Sequence, residues 1–211
     1  MSQTDHAHAA ESHGHIHRDD IGSKMGMWLF LFTELLLFGG MFLIYAVYRY
    51  QYPDQFHIAG MELDTGIGTL NTIILLTSSL TVALSIAALQ RKNKFLSVVL
   101  LLITIVLAFS FMINKYFEWG VKFEHGLYPG SETLLGKPNG EILFFGLYFI
   151  MTGLHGLHVV IGIIFLSIIL AMIIKDKITF DNYVKLENSG LYWHLVDLIW
   201  IFLFPLFYLI Q

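Results

Sequence analysis

Five stretches of this chain, at about 27–48, 70–90, 95–119, 142–174 and 191–210, are almost wholly apolar. Each reaches or exceeds the roughly 20 residues that a helix needs to cross the hydrocarbon core of a bilayer. Charged residues make up only 13% of the 211, against about 25% in soluble domains. The chain is therefore expected to be an all-α integral membrane protein, a bundle of five transmembrane helices forming one domain over 25–211.

Charge marks the ends of the spans. Arg49, the Arg91–Lys94 run and the Lys175–Lys177 run stop three of them, and Gly120, Gly140 and Gly190 fall in the polar breaks beside others. The fourth segment is too long for a perpendicular crossing, so it should tilt or project beyond the lipid. Trp28, Trp119, Trp193, Tyr48 and Tyr192 lie near span ends, where amphipathic rings favour the interface. With the N-terminus cytoplasmic, that side holds Arg18, Lys24, Arg91, Lys92, Lys94, Lys175, Lys177 and Lys185, and the other holds Arg49, Lys122, Lys137 and at most Lys115. Basic residues collect in cytoplasmic loops, so the expectation is N-terminus in, C-terminus periplasmic.

Composition also excludes several classes. With no cysteine, disulfides and thiolate metal sites are ruled out. The net charge of −4 argues against nucleic acid as a partner. Neither a Walker-type loop nor a haem-attachment CxxCH is present. Residues 1–24 are polar and lack the features of a secretory signal, so the first span is expected to remain in the mature protein. Their five histidines, His6, His8, His13, His15 and His17, suit a flexible solvated tail that binds metal adventitiously.

Ionisable groups inside the spans carry the functional signal, because burial in lipid is costly without a partner or a role. Glu34 lies about 11 Å into the first span at 1.5 Å per residue. It is either a proton-exchanging carboxyl or a hydrogen-bonding contact to a neighbouring helix, which Gly39 and Gly40 would let approach. His155 and His158 share one helix face and could carry a proton, contribute to a metal site or bond to another helix. His194 and Asp197 also share a face, within a turn or two of the cytoplasmic end and level with Glu34. There Asp197 could fix the His194 tautomer or simply pair with it. Near the opposite surface, Lys115 and Glu118 have the spacing of an ion pair. Asn71 and Thr72 open the second span and read as capping residues.

Taken together, GMWLFLFTELLLF, TLNTIILLTSS, NKYFEW, FIMTGLHGLHVVIG and LYWHLVDLIWIFLFPLFYL resemble, in order and spacing, subunit III of the haem–copper respiratory oxidases in its five-helix bacterial form. The likeness runs from Lys24 to the end. It implies a non-catalytic subunit of a terminal oxidase that reduces oxygen to water and pumps protons. No cofactor would be bound by this chain, the haems and copper residing in subunits I and II. The subunit would pack on subunit I, contact subunit II and membrane lipid, and in some settings join a respiratory supercomplex. It would support proton uptake from the cytoplasm and prolong the working life of the enzyme. The resemblance puts Glu34, His155, His158, His194 and Asp197 on the family's buried polar positions, and Asn71, Thr72, Glu118 and Trp200 on further family positions.

Two departures follow. Lys115 stands where the family usually has the first Glu of E-x-x-E, so a carboxylate pair becomes a Lys–Glu pair. The family's long form begins with two more helices, whose cleft against the other five holds lipid; without them that site is not carried over, and a structural phospholipid is left open. From the residues alone, a small divalent-metal carrier fed by the His-rich tail is the rival reading.

Overall fold

The computed structural model describes residues 20–180 and 182–210, all helix and connecting turns. The His-rich stretch expected to be a tail lies mostly outside the described residues, His6 to His17 included. Seven α-helices follow in order: α1 (Asp20–Gln51), α2 (Pro53–Gly60), α3 (Thr65–Gln90), α4 (Lys94–Glu124), α5 (Glu132–Leu135), α6 (Asn139–Ile174) and α7 (Val184–Phe204), the last ending in a π-helical turn, Pro205–Leu209. Five helices, the long ones, are apolar and extended enough to cross a membrane, as the sequence led one to expect.

Boundaries differ from the apolar windows. α4 runs on through Gly120 to Glu124, because Lys122 and Glu118 are buried and still pack. α7 begins at Val184, seven residues before its apolar stretch. Its polar first turns are held by α1, through a Lys24–Glu187 ion pair at 2.9 Å and a bond from Asn188 Nδ2 to Ser23 Oγ at 3.0 Å. Gly120, Gly140 and Gly190 thus sit within helices rather than in breaks. Tyr192 and Trp193, expected near an interface, lie inside α7 and are buried. α3 starts at Thr65, capped by Asp64, whose carboxylate accepts from Gly66 N at 2.7 Å and Ile67 N at 3.2 Å. Asn71 and Thr72 therefore lie more than a turn inside the helix and are not caps.

α3, α4, α6 and α7 form a four-helix ring in which each packs on two neighbours, and α1 lies outside it on α6 and α7. The α3–α4 hairpin turns at Arg91–Asn93, with Lys92 in the left-handed region (φ +62°) and Asn93 capping α4 through Leu96 N at 3.1 Å. Polar rungs tie this pair at three levels: Asn114 to Asn71 (2.9 Å), Thr81 to Thr104 (2.8 Å) and Ser85 to Ser97 (3.0 Å). Satisfying these groups against each other is what makes them tolerable in an apolar interior. Close approach on the α6 side comes from Gly162, where a Cβ would stand 2.7 Å from the Trp193 ring. At Gly39 and Gly40, expected to admit a neighbour, an added Cβ would meet no other element within 4 Å among the described residues.

Pro205 ends α7 because it has no N–H to continue the ladder. The chain widens into the π turn, closed by Ile210 N to Pro205 O at 2.9 Å. Carbonyls freed at a helix end need outside donors. Tyr45 OH supplies one to Leu206 O at 2.6 Å, and Arg49 supplies another to Ile210 O.

Candidate functional site

Four polar groupings occupy the spanning helices. At the α1–α6 contact, Glu34 Oε2 lies 3.0 Å from His158 Nε2, with the two side chains 15% and 10% exposed. His158 Nδ1 lies 2.8 Å from Leu154 O. A carbonyl can only accept, so Nδ1 carries its hydrogen and Nε2 faces the carboxyl group. One proton then remains to be shared, either on the imidazole, giving an ion pair, or on Glu34, giving a neutral acid donating to a neutral ring. Phe38 packs edge-on against the His158 ring at 5.5 Å, and Tyr192 OH donates to His158 O at 3.0 Å.

A second grouping joins α7 to α3. His194 Nδ1 lies 2.6 Å from Ser79 Oγ. Asp197 is buried one turn further along α7, and its Oδ1 has no partner among the described residues. No bond joins the carboxylate to the imidazole, as the sequence spacing suggested one could; Ser79 takes the His194 Nδ1 instead. This is not the ordering of a Ser–His–Asp relay, in which the acid grips the ring. Trp193 Nε1 to Ser78 Oγ and Trp200 Nε1 to Thr72 Oγ1, both 3.0 Å, extend the same seam. Measured from Val184 at 1.5 Å per residue, Asp197 is about 20 Å along α7. Glu34 stands at a comparable distance along its own helix, about 21 Å from Asp20 in α1.

His155 occupies the centre of the ring of helices. It is fully buried, its ring 5.7 Å from Phe111 and 5.2 Å from Trp200, and neither nitrogen has a partner among the described residues. His155 and His158 share an α6 face but not a site, one turned to the core and the other to α1. Among the described residues no three His, Asp or Glu side chains converge as metal ligands.

The fourth grouping lies towards the other end of the bundle. Lys115 Nζ is 3.1 Å from Glu118 Oε2, with side chains 8% and 3% exposed. It also donates to Tyr208 OH at 2.9 Å and lies 5.0 Å from the Trp200 ring. Tyr148 OH and Tyr208 OH both donate to Glu118 Oε1. Two phenols and an ammonium thus surround the carboxylate that the sequence gave one partner. Ser79, Asn114, Tyr148 and Tyr208 were not singled out by their sequence setting. Each acquires its role through a contact more than 25 positions away.

Comparison with known proteins gives these groupings a setting. The family model described as cytochrome c oxidase subunit III matches residues 4–211. Cytochrome c oxidase subunit 3 of Yarrowia lipolytica is 34% identical over 195 residues, covering 89% of this chain and 67% of that protein. The "Probable quinol oxidase subunit 3" of Staphylococcus saprophyticus is 29% identical over 190 residues, 89% of each. Heme-copper oxidase subunit I+III of Aeropyrum pernix is 28% identical over 193 residues, covering 89% of this chain and 22% of that longer protein. A five-span helical bundle matched over nearly its whole length leaves one assignment: this chain belongs to the cytochrome c oxidase subunit III family.

Proposed function

We propose that the chain is subunit III of a bacterial haem–copper terminal oxidase, has no redox centre of its own, and acts by supporting the proton uptake and working life of a partner subunit I. The match across residues 4–211 carries this reading. The fused subunit I+III relative supports adjacency to subunit I, since it is a single chain bearing both names. Relatives named for cytochrome c and for quinol oxidation share the chain's pattern, which accords with a donor site on other subunits. In this reading the N-terminus and the polar stretch 1–24 face the cytoplasm and the C-terminus faces the periplasm, as the placement of Lys and Arg favours. Residues 25–211 form the membrane domain.

The geometry supports an indirect role. Glu34 and His158 share a proton where α1 meets α6, and His194, Ser79 and Asp197 form a polar seam at similar depth. Both keep a polar environment within the membrane that a neighbouring proton entrance can use. His155 lies between these groups and the Lys115–Glu118 cluster. The decisive experiment is purification of the chain in its native complex from membranes. A haem redox spectrum together with a larger co-purifying haem-binding subunit is expected. A chain isolated with stoichiometric zinc, copper or nickel and no haem partner would refute the oxidase reading in favour of a metal carrier.

A further inference from the structure

Six side-chain polar atoms among the described residues are buried and have no hydrogen-bond partner there: His155 Nδ1 and Nε2, Asn71 Nδ2, Asp197 Oδ1, Trp119 Nε1 and Asn188 Oδ1. Four of the six belong to three residues that stand around the Trp200 indole, at the centre of the ring of helices. The His155 ring lies 5.2 Å from that indole, and Asp197 is one turn before it on α7. Trp200 Nε1 donates to Thr72 Oγ1 at 3.0 Å, and Asn71 is the residue next to Thr72. The other two atoms are scattered, Trp119 Nε1 at the α4–α6 groove and Asn188 Oδ1 beside α1. Buried polar groups in folded proteins are hydrogen-bonded with few exceptions, so four open valences in one layer need a common partner.

The layer is closed off from lipid. His155 and Asn71 are fully buried, and Asp197 is buried as well. Phe111 packs edge-on against the His155 ring at 5.7 Å and against Trp200 at 4.9 Å, and the bond to Thr72 keeps the indole from turning aside. The open atoms come from α3, α6 and α7, and Phe111 from α4, so all four helices of the ring enclose them. Chemistry then selects the ligand. A neutral imidazole carries one N–H and one bare nitrogen; Asn71 adds an N–H and Asp197 an acceptor oxygen. Inward N–H groups oppose a cation, the carboxyl oxygen opposes an anion, and no three His, Asp or Glu side chains converge on a metal among the described residues. A small molecule that both donates and accepts suits all four atoms.

We infer that the centre of the four-helix ring is a hydration site, in which ordered water bonds both nitrogens of His155 and passes those bonds on to Asp197 Oδ1 and Asn71 Nδ2. An internal water needs two to four polar partners, and this layer offers that number. A direct bond between His155 and Asp197 would not suffice, because the carboxylate can serve only the N–H and leaves the bare nitrogen unmet. Water meets both, and it ties α3, α6 and α7 together where no side chain of one reaches the open atoms of another. The site does not depend on which complex the chain joins.

The test is a cryo-electron microscopy map of the chain in its purified native complex, at a resolution that shows ordered water. Peaks are expected about 3 Å from both His155 nitrogens, with Asp197 Oδ1 and Asn71 Nδ2 in hydrogen-bond reach of them. A direct His155–Asp197 bond, a layer without peaks, or density too strong for water overturns the assignment. Two variants give an independent reading. His155→Phe keeps a ring between Phe111 and Trp200 but removes both valences, so the peaks should vanish and the complex should melt below the parent. His155→Gln retains a donor and an acceptor, and should keep at least one peak and melt between the other two. Peaks unchanged in the His155→Phe complex, or a His155→Phe complex as stable as the parent, overturn the hydration site.

Discussion

Glu34 on α1 and His158 on α6 meet at 3.0 Å, and this contact ties the most peripheral spanning helix to the rest of the bundle. Most of the apolar side chains of α1 are exposed, among them Leu29, Leu36, Leu43 and Val47. The helix is consequently held by a few specific bonds: this pair, the Lys24 and Ser23 contacts at one end, and Tyr45 and Arg49 at the other.

Two substitutions separate packing from proton exchange at this pair. Glu34→Gln keeps a donor for His158 Nε2 but removes the shared proton, whereas Glu34→Ala removes both and should cost about 1 kcal/mol of stability. Proton uptake and turnover lifetime of the assembled oxidase are the quantities to compare. Gln should behave like Ala in both, with its stability close to that of the parent. Parental uptake and lifetime in the Gln variant would reduce Glu34 to a packing residue.

The Lys115–Glu118 pair is buried on all sides, so removing one charge strands the other. Lys115→Met should cost about 3–5 kcal/mol, the range for breaking a buried pair. Adding Glu118→Gln should recover a large part of that loss, because two neutral groups replace one uncompensated charge. Thermal loss of helical signal in detergent, measured across the double-mutant cycle, checks both. Equal, additive losses would mean that the two charges act separately.

Glycines that look alike in sequence should respond in opposite ways. Gly162→Ala places a methyl 2.7 Å from the Trp193 ring, and the bond from Trp193 Nε1 to Ser78 prevents that indole from yielding. A cost of about 1–3 kcal/mol is expected for such overpacking. Gly39→Ala meets nothing within 4 Å and should be neutral or gain up to about 1 kcal/mol from helix propensity. The same unfolding measurement ranks the two.

The contrast shows which parts of this structure the sequence could carry. Spans were legible because hydropathy is a property of a continuous segment. Their ends were not: the polar first turns of α7 are helical only because Glu187 and Asn188 find α1. The Lys115–Glu118 pair was legible because both residues lie on one helix, three apart. Tyr208 was not, since it reaches Glu118 from 90 positions away. His194 illustrates the same limit. A carboxylate three residues along was the natural local partner, yet packing of α7 on α3 delivers Ser79 instead.

Pro205 links the local and the distant. Lacking an N–H, it lets α7 widen into a turn that holds one extra residue, and the residues beyond are rotated by about 100° relative to a continuous α-helix. That rotation brings Tyr208 OH to Glu118 and sets the Tyr208 ring over Gly68, where a Cβ would stand 2.8 Å away. In Pro205→Ala the backbone donor returns and the α-helical ladder can continue, which would swing Tyr208 out of the cluster. Tyr208→Phe should therefore cost about 1–2 kcal/mol in the parent chain, for a hydrogen bond to a buried charge, and close to nothing in the Pro205→Ala background. Unfolding of the four members of this cycle decides the matter. A full Tyr208 effect without the proline would mean that Tyr45, Arg49 and Glu118 impose the wide turn from outside, with Pro205 only compatible with it.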